Sequence, residues 1–346
     1  MIGVILKKII GLTLMLMMAT CWSAPDTRPE KVDVAIATSP SVISYYSFEI
    51  AMAKGYFKDE GLNITRSMFA GGPKAMQALL GGSADVAVSA YANTLNMAAK
   101  GQNLQAFFLM IDYPAYAVGV TKAGQTKFKG FESLPGLKVG VTSPGSSTHM
   151  VFNAIAHRHG VNVKSYSVIG VGALAGAASA AQTGAIDVLV GIDPVVTMLT
   201  NSGDLKIVAD LRTGAGTFEA LGSRTYPEGS MLASTEFVQK NPKTIQALTN
   251  AMLKAQLFLQ TASAAEIADS LPKSYQIGER DLYLQAIQNT RSVYSKNGRY
   301  DPEGIQAVLK VLTEFDAELA AVQSKIDVSA TFTNRFVDVA LAAQKR

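Results

Sequence analysis

The sequence predicts an α/β fold made of two units, each built on a mainly parallel sheet flanked by helices. Two observations carry this prediction. Short apolar runs alternate with segments of helical spacing in the order β-α-β-α-β, and a similar order returns later in the chain. This alternation favours parallel strands joined by crossover helices. The chain has 346 residues, of which 48% are hydrophobic and 17% charged, so it is long enough for two cores.

The first unit begins with an apolar run over 32–37 that reads as a buried strand. A helix over 43–54 follows and ends at Gly55, a common C-terminal stop. A second strand is predicted over 62–68. Gly71, Gly72 and Pro73 open the next helix, with proline in its first turn where it is tolerated, and a third strand covers 85–89.

The second unit repeats this order, and the rest of the chain is mainly helical from about Phe237. Asn241-Pro242 and Asp301-Pro302 are typical helix starts. The predicted elements are strands over 116–121, 137–141, 165–169 and 185–190, helices over 147–159 and from 173, and later helices from 242, 281, 302 and 330.

The first 24 residues have the pattern of a secretory signal peptide. Lys7 and Lys8 precede an uncharged apolar run over 9–19. This run is shorter than the roughly 20 residues that a membrane-spanning helix needs. We expect cleavage near Ser23 or Ala24 and a periplasmic protein; lipidation of Cys21, the only cysteine, is the alternative. Removal of two lysines leaves a net charge of +2, which argues against a nucleic-acid partner.

Catalytic, metal and cofactor motifs are weak or missing in this sequence. It contains neither the P-loop pattern nor a G-x-S-x-G elbow, and it has three histidines. Residues 170–175 fit G-x-G-x-x-A and Asp193 follows about 20 residues later, as in a dinucleotide fingerprint. The motif lies in the second unit, however, and its small residues are explained by close helix packing. We therefore predict no catalytic residue, no metal site and no cofactor.

The strand-to-helix turns are the candidate ligand site. Ligands of open α/β sheets bind at the carboxyl ends of strands, where helix N-termini present unpaired N–H groups. These turns are rich in glycine and hydroxyl side chains, which suits an anion or a heterocycle with several acceptors. Tyr91 is the preferred aromatic wall because it directly follows its turn, whereas Asp193 either caps a helix or accepts a hydrogen bond from the ligand. The candidate ligand-binding residues are Ser39, Ser41, Tyr45, Gly71, Gly72, Ser89, Ala90, Tyr91, Ser143, Ser146, Ser147, Thr148, Gly170 and Asp193.

Five segments together resemble the periplasmic substrate-binding proteins of ABC importers, in the nitrate, taurine and alkanesulfonate class. They are MAKGYFKDEGLNIT (52–65), AGGPKAMQALLGGSADVAVSA (70–90), SLPGLKVGVTSPGSSTHM (133–150), GAIDVLVGIDPVVTML (184–199) and FVQKNPKTIQALTNAMLKA (237–255). Their order and spacing span nearly all of the mature chain. One departure is Ile192, since the family often has tryptophan before this Asp-Pro pair.

The resemblance implies a two-lobed fold of the type II periplasmic-binding-protein kind, with the ligand in the cleft between the lobes. Its implied divisions are a signal peptide at 1–24, lobe 1 over 25–115, lobe 2 over 116–222 and a return to lobe 1 over 223–346, with crossings near 115–120 and 211–223. The implied partners are a small ligand and an ABC permease with its ATPase subunits. The implied ligand is a sulfonate such as taurine, nitrate, a carboxylate, or an aromatic or heterocyclic compound, and we expect a monomer.

An enzyme on the same scaffold, acting on a molecule like a pyrimidine precursor, is the alternative. It would need an acid–base pair in the cleft, and His149 with Asp193 is the one candidate pair. A secreted oxidoreductase that uses the glycine turn at Gly170 is a third hypothesis.

Overall fold

The computed structural model describes residues 29–344. The predicted signal segment and Cys21 lie outside this range. No helix between residues 29 and 344 is both long and apolar enough to cross a membrane.

Ten strands within the described residues form two five-stranded sheets, with the strand orders β2-β1-β3-β10-β4 and β7-β6-β8-β5-β9. We call the part built on the first sheet lobe 1 and the part built on the second lobe 2. The strands are β1 (Glu30–Ile36), β2 (Leu62–Met68), β3 (Val86–Ala90), β4 (Leu104–Leu109), β5 (Tyr116–Thr121), β6 (Lys138–Val141), β7 (Ser167–Gly170), β8 (Val188–Ile192), β9 (Leu205–Asp210) and β10 (Gly229–Ser234).

Each sheet is parallel except for one strand. In lobe 1, β10 runs antiparallel to β3 and β4; in lobe 2, β5 runs antiparallel to β8 and β9. Both exceptions are the first strand that the chain forms after passing from one lobe to the other. The prediction of mainly parallel α/β sheets is confirmed, with one reversed strand for each passage between lobes.

Helices cover both sheets. Fifteen α-helices lie within the described residues, and six short 3₁₀ turns lie at 43–45, 131–133, 273–275, 291–293, 323–325 and 328–331. The α-helices are α1 (Tyr46–Ala53), α2 (Tyr56–Asp59), α3 (Gly72–Leu80), α4 (Ala92–Ala99), α5 (Ser147–Arg158), α6 (Ala175–Gln182), α7 (Val195–Asn201), α8 (Gly214–Leu221), α9 (Thr235–Lys240), α10 (Pro242–Thr261), α11 (Ala264–Asp269), α12 (Arg280–Thr290), α13 (Pro302–Phe315), α14 (Ala317–Val322) and α15 (Arg335–Gln344).

Alternate residues of the strands pack into different cores. In β1, Val32, Val34 and Ile36 join the apolar cluster that includes α1 and α10, whereas Ala35 joins the cluster on the opposite face. Side chains alternate across a strand, so a strand covered on both faces reads as a nearly continuous apolar run. This is why β1 is easily recognised in the sequence.

Two short segments connect the lobes, at 110–115 between β4 and β5 and at 222–228 between α8 and β10. They pair with each other and with the start of β10: Met110 N donates to Gly229 O (2.7 Å) and Tyr226 N donates to Asp112 O (3.2 Å). The crossings predicted near 115–120 and 211–223 are therefore misplaced. The first falls on β5 and the second on α8, because both elements belong to lobe 2.

The chain after the second crossing also contacts lobe 2. Asn289 of α12 donates to Thr197 Oγ1 of α7 (3.0 Å), and Asn201 donates to Gln285 Oε1 (2.8 Å). Helix α13 packs on α5. The return segment thus braces lobe 2 as well as completing lobe 1.

Candidate ligand-binding site

A narrow cavity lies between the lobes, at the carboxyl ends of the parallel strands. Eight of the candidate residues from the sequence line it: Tyr45, Gly71, Gly72, Ser89, Ala90, Ser146, Ser147 and Thr148. Ten further lining residues were not predicted: Ala37, Thr38, Val42, Ser44, Asn93, Ile111, Tyr116, Thr142, Ile192 and Glu228.

The two lobes touch around this cavity. Ile43 N of lobe 1 donates to Asp193 O of lobe 2 (3.3 Å), and Asn96 Nδ2 lies 3.0 Å from Met150 Sδ. Gly71, at a φ of +94°, lies so close to Ser143 that a β-carbon would overlap the Ser143 Oγ. A side chain at position 71 would hold the lobes apart, so glycine is required for this closed arrangement.

The serine-rich turn before α5 mostly satisfies its own hydrogen bonds. Ser146 Oγ accepts from Ser143 N (3.3 Å) and lies 2.8 Å from Thr148 Oγ1, which accepts from Thr142 N (3.0 Å). The Ser147 hydroxyl pairs with the Tyr116 hydroxyl. These hydroxyls shape the lobe 2 wall, but most of their hydrogen-bonding capacity is used within the protein.

Tyr91 does not line the cavity, contrary to the sequence-based preference. Its ring is fully buried and packs against Tyr300, with a centroid distance of 5.7 Å. Its hydroxyl lies 2.5 Å from Thr331 Oγ1. The side chain points into the core of lobe 1, and the aromatic residues of the cavity are Tyr45 and Tyr116 instead.

Asp193 also lies outside the cavity lining. Its Oδ1 accepts from Thr197 N (2.9 Å) and Thr197 Oγ1 (2.7 Å), so it caps the start of α7. Its Oδ2 accepts from Arg212 Nη1 (2.8 Å) and Thr290 Oγ1 (3.2 Å). With both oxygens hydrogen-bonded within the protein, Asp193 lies where the capping interpretation places it.

The other four candidate residues face their own turns or neighbouring segments, and the buried Ser143 hydroxyl has no hydrogen-bond partner among the described residues. Ser39 Oγ accepts from Ser41 N (3.4 Å), and Ser41 O accepts from the Tyr46 hydroxyl (3.5 Å). Ser143 faces Gly71 rather than the cavity, and Gly170 ends β7 against Pro144. None of these four lines the cavity, because each turn directs only part of its residues inward.

Glu228 is the main lining residue that the sequence analysis missed. It is 1% exposed and precedes β10, at the base of the cleft. Its backbone N donates to Ile111 O (3.2 Å), and its backbone O accepts from Tyr91 N (2.7 Å) and Ser230 Oγ (3.2 Å). The main chain of Glu228 is therefore held in place by Ile111 of the first crossing segment and by Tyr91 and Ser230 of lobe 1.

The two carboxyl oxygens of Glu228 differ. Oε1 accepts from the Tyr116 hydroxyl, whereas Oε2 is buried and has no partner among the described residues. Burial raises the pKa of Glu228 from 4.5 to about 7, opposed by the hydrogen bond from Tyr116. A short chain of hydroxyls thus connects Ser147 of lobe 2, through Tyr116, to Glu228.

The charge of the cleft is unusual for an anion site. None of its lining residues in the described chain is lysine, arginine or histidine. The N-termini of α3 and α5, at Gly72 and Ser147, each favour an anion by about 0.3–1 kcal/mol. Placing two like charges together in an interface costs several kcal/mol, so an ionised Glu228 outweighs both helix ends.

The proposed acid–base pair is not assembled in this cavity. His149 Nδ1 accepts from Gly145 N (2.9 Å), and burial lowers the pKa of its imidazole. Neither His149 nor Asp193 belongs to the lining. Within residues 29–344 there is also no cluster of three or more His, Cys, Asp or Glu side chains that could hold a metal ion.

Comparison with known proteins agrees with this architecture. The family described as NMT1/THI5 like matches residues 39–262. A solved structure of a protein from Bordetella bronchiseptica RB50 is 41% identical with a TM-score of 0.87, and the match covers 92% of this chain and 99% of that one.

Two more distant structures are the alkanesulfonate-binding protein SsuA from Xanthomonas axonopodis pv. citri and the periplasmic nitrate-binding protein NrtA from Synechocystis PCC 6803. SsuA is 17% identical with a TM-score of 0.70, covering 89% of this chain and 99% of its own. NrtA is 16% identical with a TM-score of 0.68, covering 90% of this chain and 88% of its own. At these identities the likeness shows the fold, which is that of periplasmic binding proteins of ABC importers.

Proposed function

The chain belongs to the NMT1/THI5-like family, and we propose from this premise that it is the solute receptor of an ABC importer. It captures a small molecule between its two lobes and delivers it to a membrane permease. The chemistry of binding is reversible, and the molecule leaves unchanged.

The cavity shared by both lobes carries this proposal. Thr38, Tyr45 and Glu228 line it from the lobe 1 side, and Tyr116 and Ser147 line it from lobe 2. A molecule that contacts both walls binds the closed arrangement more tightly than the open one, and this difference is what drives closure. The close approach of Gly71 to Ser143 supports a design in which the lobes meet.

Localisation and partner complete the proposal. The N-terminal pattern of Lys7, Lys8 and an apolar run supports export to the periplasm. The sequence has no P-loop, so the ATPase that powers transport would be a separate subunit of the importer.

Calorimetric titration of the mature protein tests this function. The panel contains taurine, short alkanesulfonates, nitrate, bicarbonate, aromatic carboxylates, pyrimidine precursors and simple amidines. We expect one class to bind, to reduce the radius of gyration measured by small-angle X-ray scattering, and to be recovered intact. A compound that is consumed during incubation would instead support the enzyme alternative on the same scaffold.

A further inference from the structure

We propose that Glu228 is the anchor of the bound molecule, and that this molecule presents the N–H donors of an amidinium group rather than a sulfonate, carboxylate or nitrate group. The inference rests on the proposed receptor function and narrows it to a ligand class.

The first support is an unpaired acceptor at the base of the cavity. Glu228 Oε2 is buried and has no partner within the described residues, although its neighbour Oε1 is hydrogen-bonded by Tyr116. The backbone bonds to Ile111 and Tyr91 hold the main chain of Glu228 at this place beside the cavity. A buried carboxyl oxygen without a donor is unfavourable, so a donor from the ligand would relieve a cost that the protein already bears.

A second unpaired oxygen lines the same cavity. Thr38 Oγ1 is buried and also lacks a partner among the described residues. It lies in the turn that follows β1. A hydroxyl can accept one hydrogen bond from the ligand and donate another. Both unpaired atoms of the lining can therefore receive N–H donors.

The third support is the absence of a counter-charge for an anion. The lining residues in the described chain include one carboxyl group and no basic side chain. Arg212, a buried basic residue outside the lining, already donates to Asp193 and Asp210. A cationic or neutral donor ligand satisfies Glu228, whereas an anion would meet it as a like charge.

The protonation state of Glu228 gives the two ligand classes opposite pH dependences of affinity. Its pKa is raised to about 7 by burial. The ionisable groups that face it are Tyr45, Tyr116 and Tyr226, and burial raises the pKa of each above 10, so none of them titrates near neutrality. An amidinium needs the ionised carboxylate and binds better as the pH rises, whereas an anion needs the protonated acid and binds better as the pH falls.

The experiment compares headgroups on matched tails. Benzamidine, benzoate and benzenesulfonate, together with acetamidine, acetate and methanesulfonate, are titrated by calorimetry into the mature protein at pH 6, 7 and 8. We expect the amidines to bind at least about tenfold more tightly than the anions of the same tail, with affinity rising up to about tenfold per pH unit below the pKa of Glu228.

Two variants test the role of the side chain. Glu228→Gln is expected to weaken amidine binding by about 10- to 100-fold and to abolish its pH dependence. Glu219→Gln, an exposed change on α8, is the matched control and should change neither. Circular dichroism of both variants verifies that they are folded.

The outcomes distinguish this inference from the receptor function. Tighter binding of the anions, no binding of any amidine, or an unchanged amidine affinity in Glu228→Gln overturns the inference. If an anion closes the lobes in small-angle X-ray scattering and is recovered intact, the receptor function stands without the Glu228 anchor. If a bound compound is consumed, the receptor function itself fails.

Discussion

Asp193 and Glu228 are both deeply buried carboxyl groups beside the cleft, yet the protein treats them in opposite ways. Asp193 receives four hydrogen bonds, from Thr197, Arg212 and Thr290, and Arg212 neutralises it. Glu228 receives one from Tyr116 on Oε1, and its Oε2 has no partner among the described residues. Asp193 is 0% exposed and Glu228 1%, so burial alone does not separate them.

The difference shows which buried charge can serve a ligand. A carboxylate whose oxygens are all paired within the chain stabilises the fold, and a ligand would have to displace those partners. A carboxyl group with one oxygen left unpaired in a cavity has capacity for a partner from outside. Asp193 therefore ties together Thr197 of α7, Arg212 after β9 and Thr290 of α12. Glu228, in contrast, has an oxygen available to a molecule in the cleft.

Replacement of Arg212 with methionine tests whether the paired carboxylate of Asp193 stabilises the fold. Arg212→Met keeps most of the apolar volume but leaves Asp193 as an unpaired buried charge. We expect the free energy of unfolding, measured by urea denaturation at pH 7, to fall by about 3–5 kcal/mol.

Asp210→Asn is the matched control for that change. Asp210 pairs with the same guanidinium, but its side chain is 40% exposed, so its loss should cost about 0–1 kcal/mol. Equal losses for the two variants would contradict the assignment of Asp193 as the buried partner that matters.

Replacement of Glu228 with glutamine tests whether the buried carboxyl group makes the free energy of unfolding depend on pH. The folded state holds the Glu228 proton up to a pH of about 7, against 4.5 for an ordinary glutamate. Between these values the folded protein binds more protons than the unfolded chain, so this group makes the free energy of unfolding fall as the pH rises. The stability of Glu228→Gln relative to the native sequence should therefore increase by roughly 2–3 kcal/mol between pH 5 and pH 8 in ligand-free protein.

Denaturation curves at several pH values measure this difference. Glu219→Gln serves again as the exposed control, and its free energy of unfolding relative to the native sequence should stay constant across these pH values. If the difference in free energy of unfolding between Glu228→Gln and the native sequence does not change with pH, burial does not raise the pKa of Glu228 in the folded protein.

Tyr91→Phe gives the smallest expected effect and tests the corrected cavity wall. The change removes the hydrogen bond to Thr331 but keeps the ring against Tyr300. We expect the free energy of unfolding to fall by about 1 kcal/mol and the affinity for the best compound of the calorimetric panel to stay unchanged. Tyr116→Phe, which removes the donor to Glu228, should lower both the free energy of unfolding and this affinity. A loss of affinity in Tyr91→Phe would mean that Tyr91 contributes to the binding site after all.

Many of the strands and helices could be predicted from local sequence pattern. The strand over 62–68 and the strand over 116–121 agree with β2 and β5, and the helices starting at Pro242 and Pro302 begin where the Asn-Pro and Asp-Pro pairs indicate. Strands β4, β9 and β10 were missed. The β10 segment (GSMLAS) mixes small, hydroxyl and apolar residues without a clear strand period, so its place in the sheet depends on its neighbours β3 and β4.

The α/β class, the mainly parallel sheets and the turns that border the cleft could all be predicted from the sequence pattern. These follow from periodicity, from helix starts and from the rule that the carboxyl ends of parallel strands meet at one edge. Which side chains of those turns face the cleft depends on long-range packing, which local pattern does not contain. Tyr91 and Asp193 turn into the protein because Thr331, Arg212 and Thr290 satisfy them there.

Glu228 shows the limit most clearly. In the sequence it is one glutamate between Pro227 and Gly229, without a motif around it. Its role depends on the crossing of two segments more than 100 residues apart, which places Ile111, Tyr116 and Tyr91 around it. Burial and hydrogen bonding are properties of that three-dimensional neighbourhood, so they appear only once the lobes have been assembled.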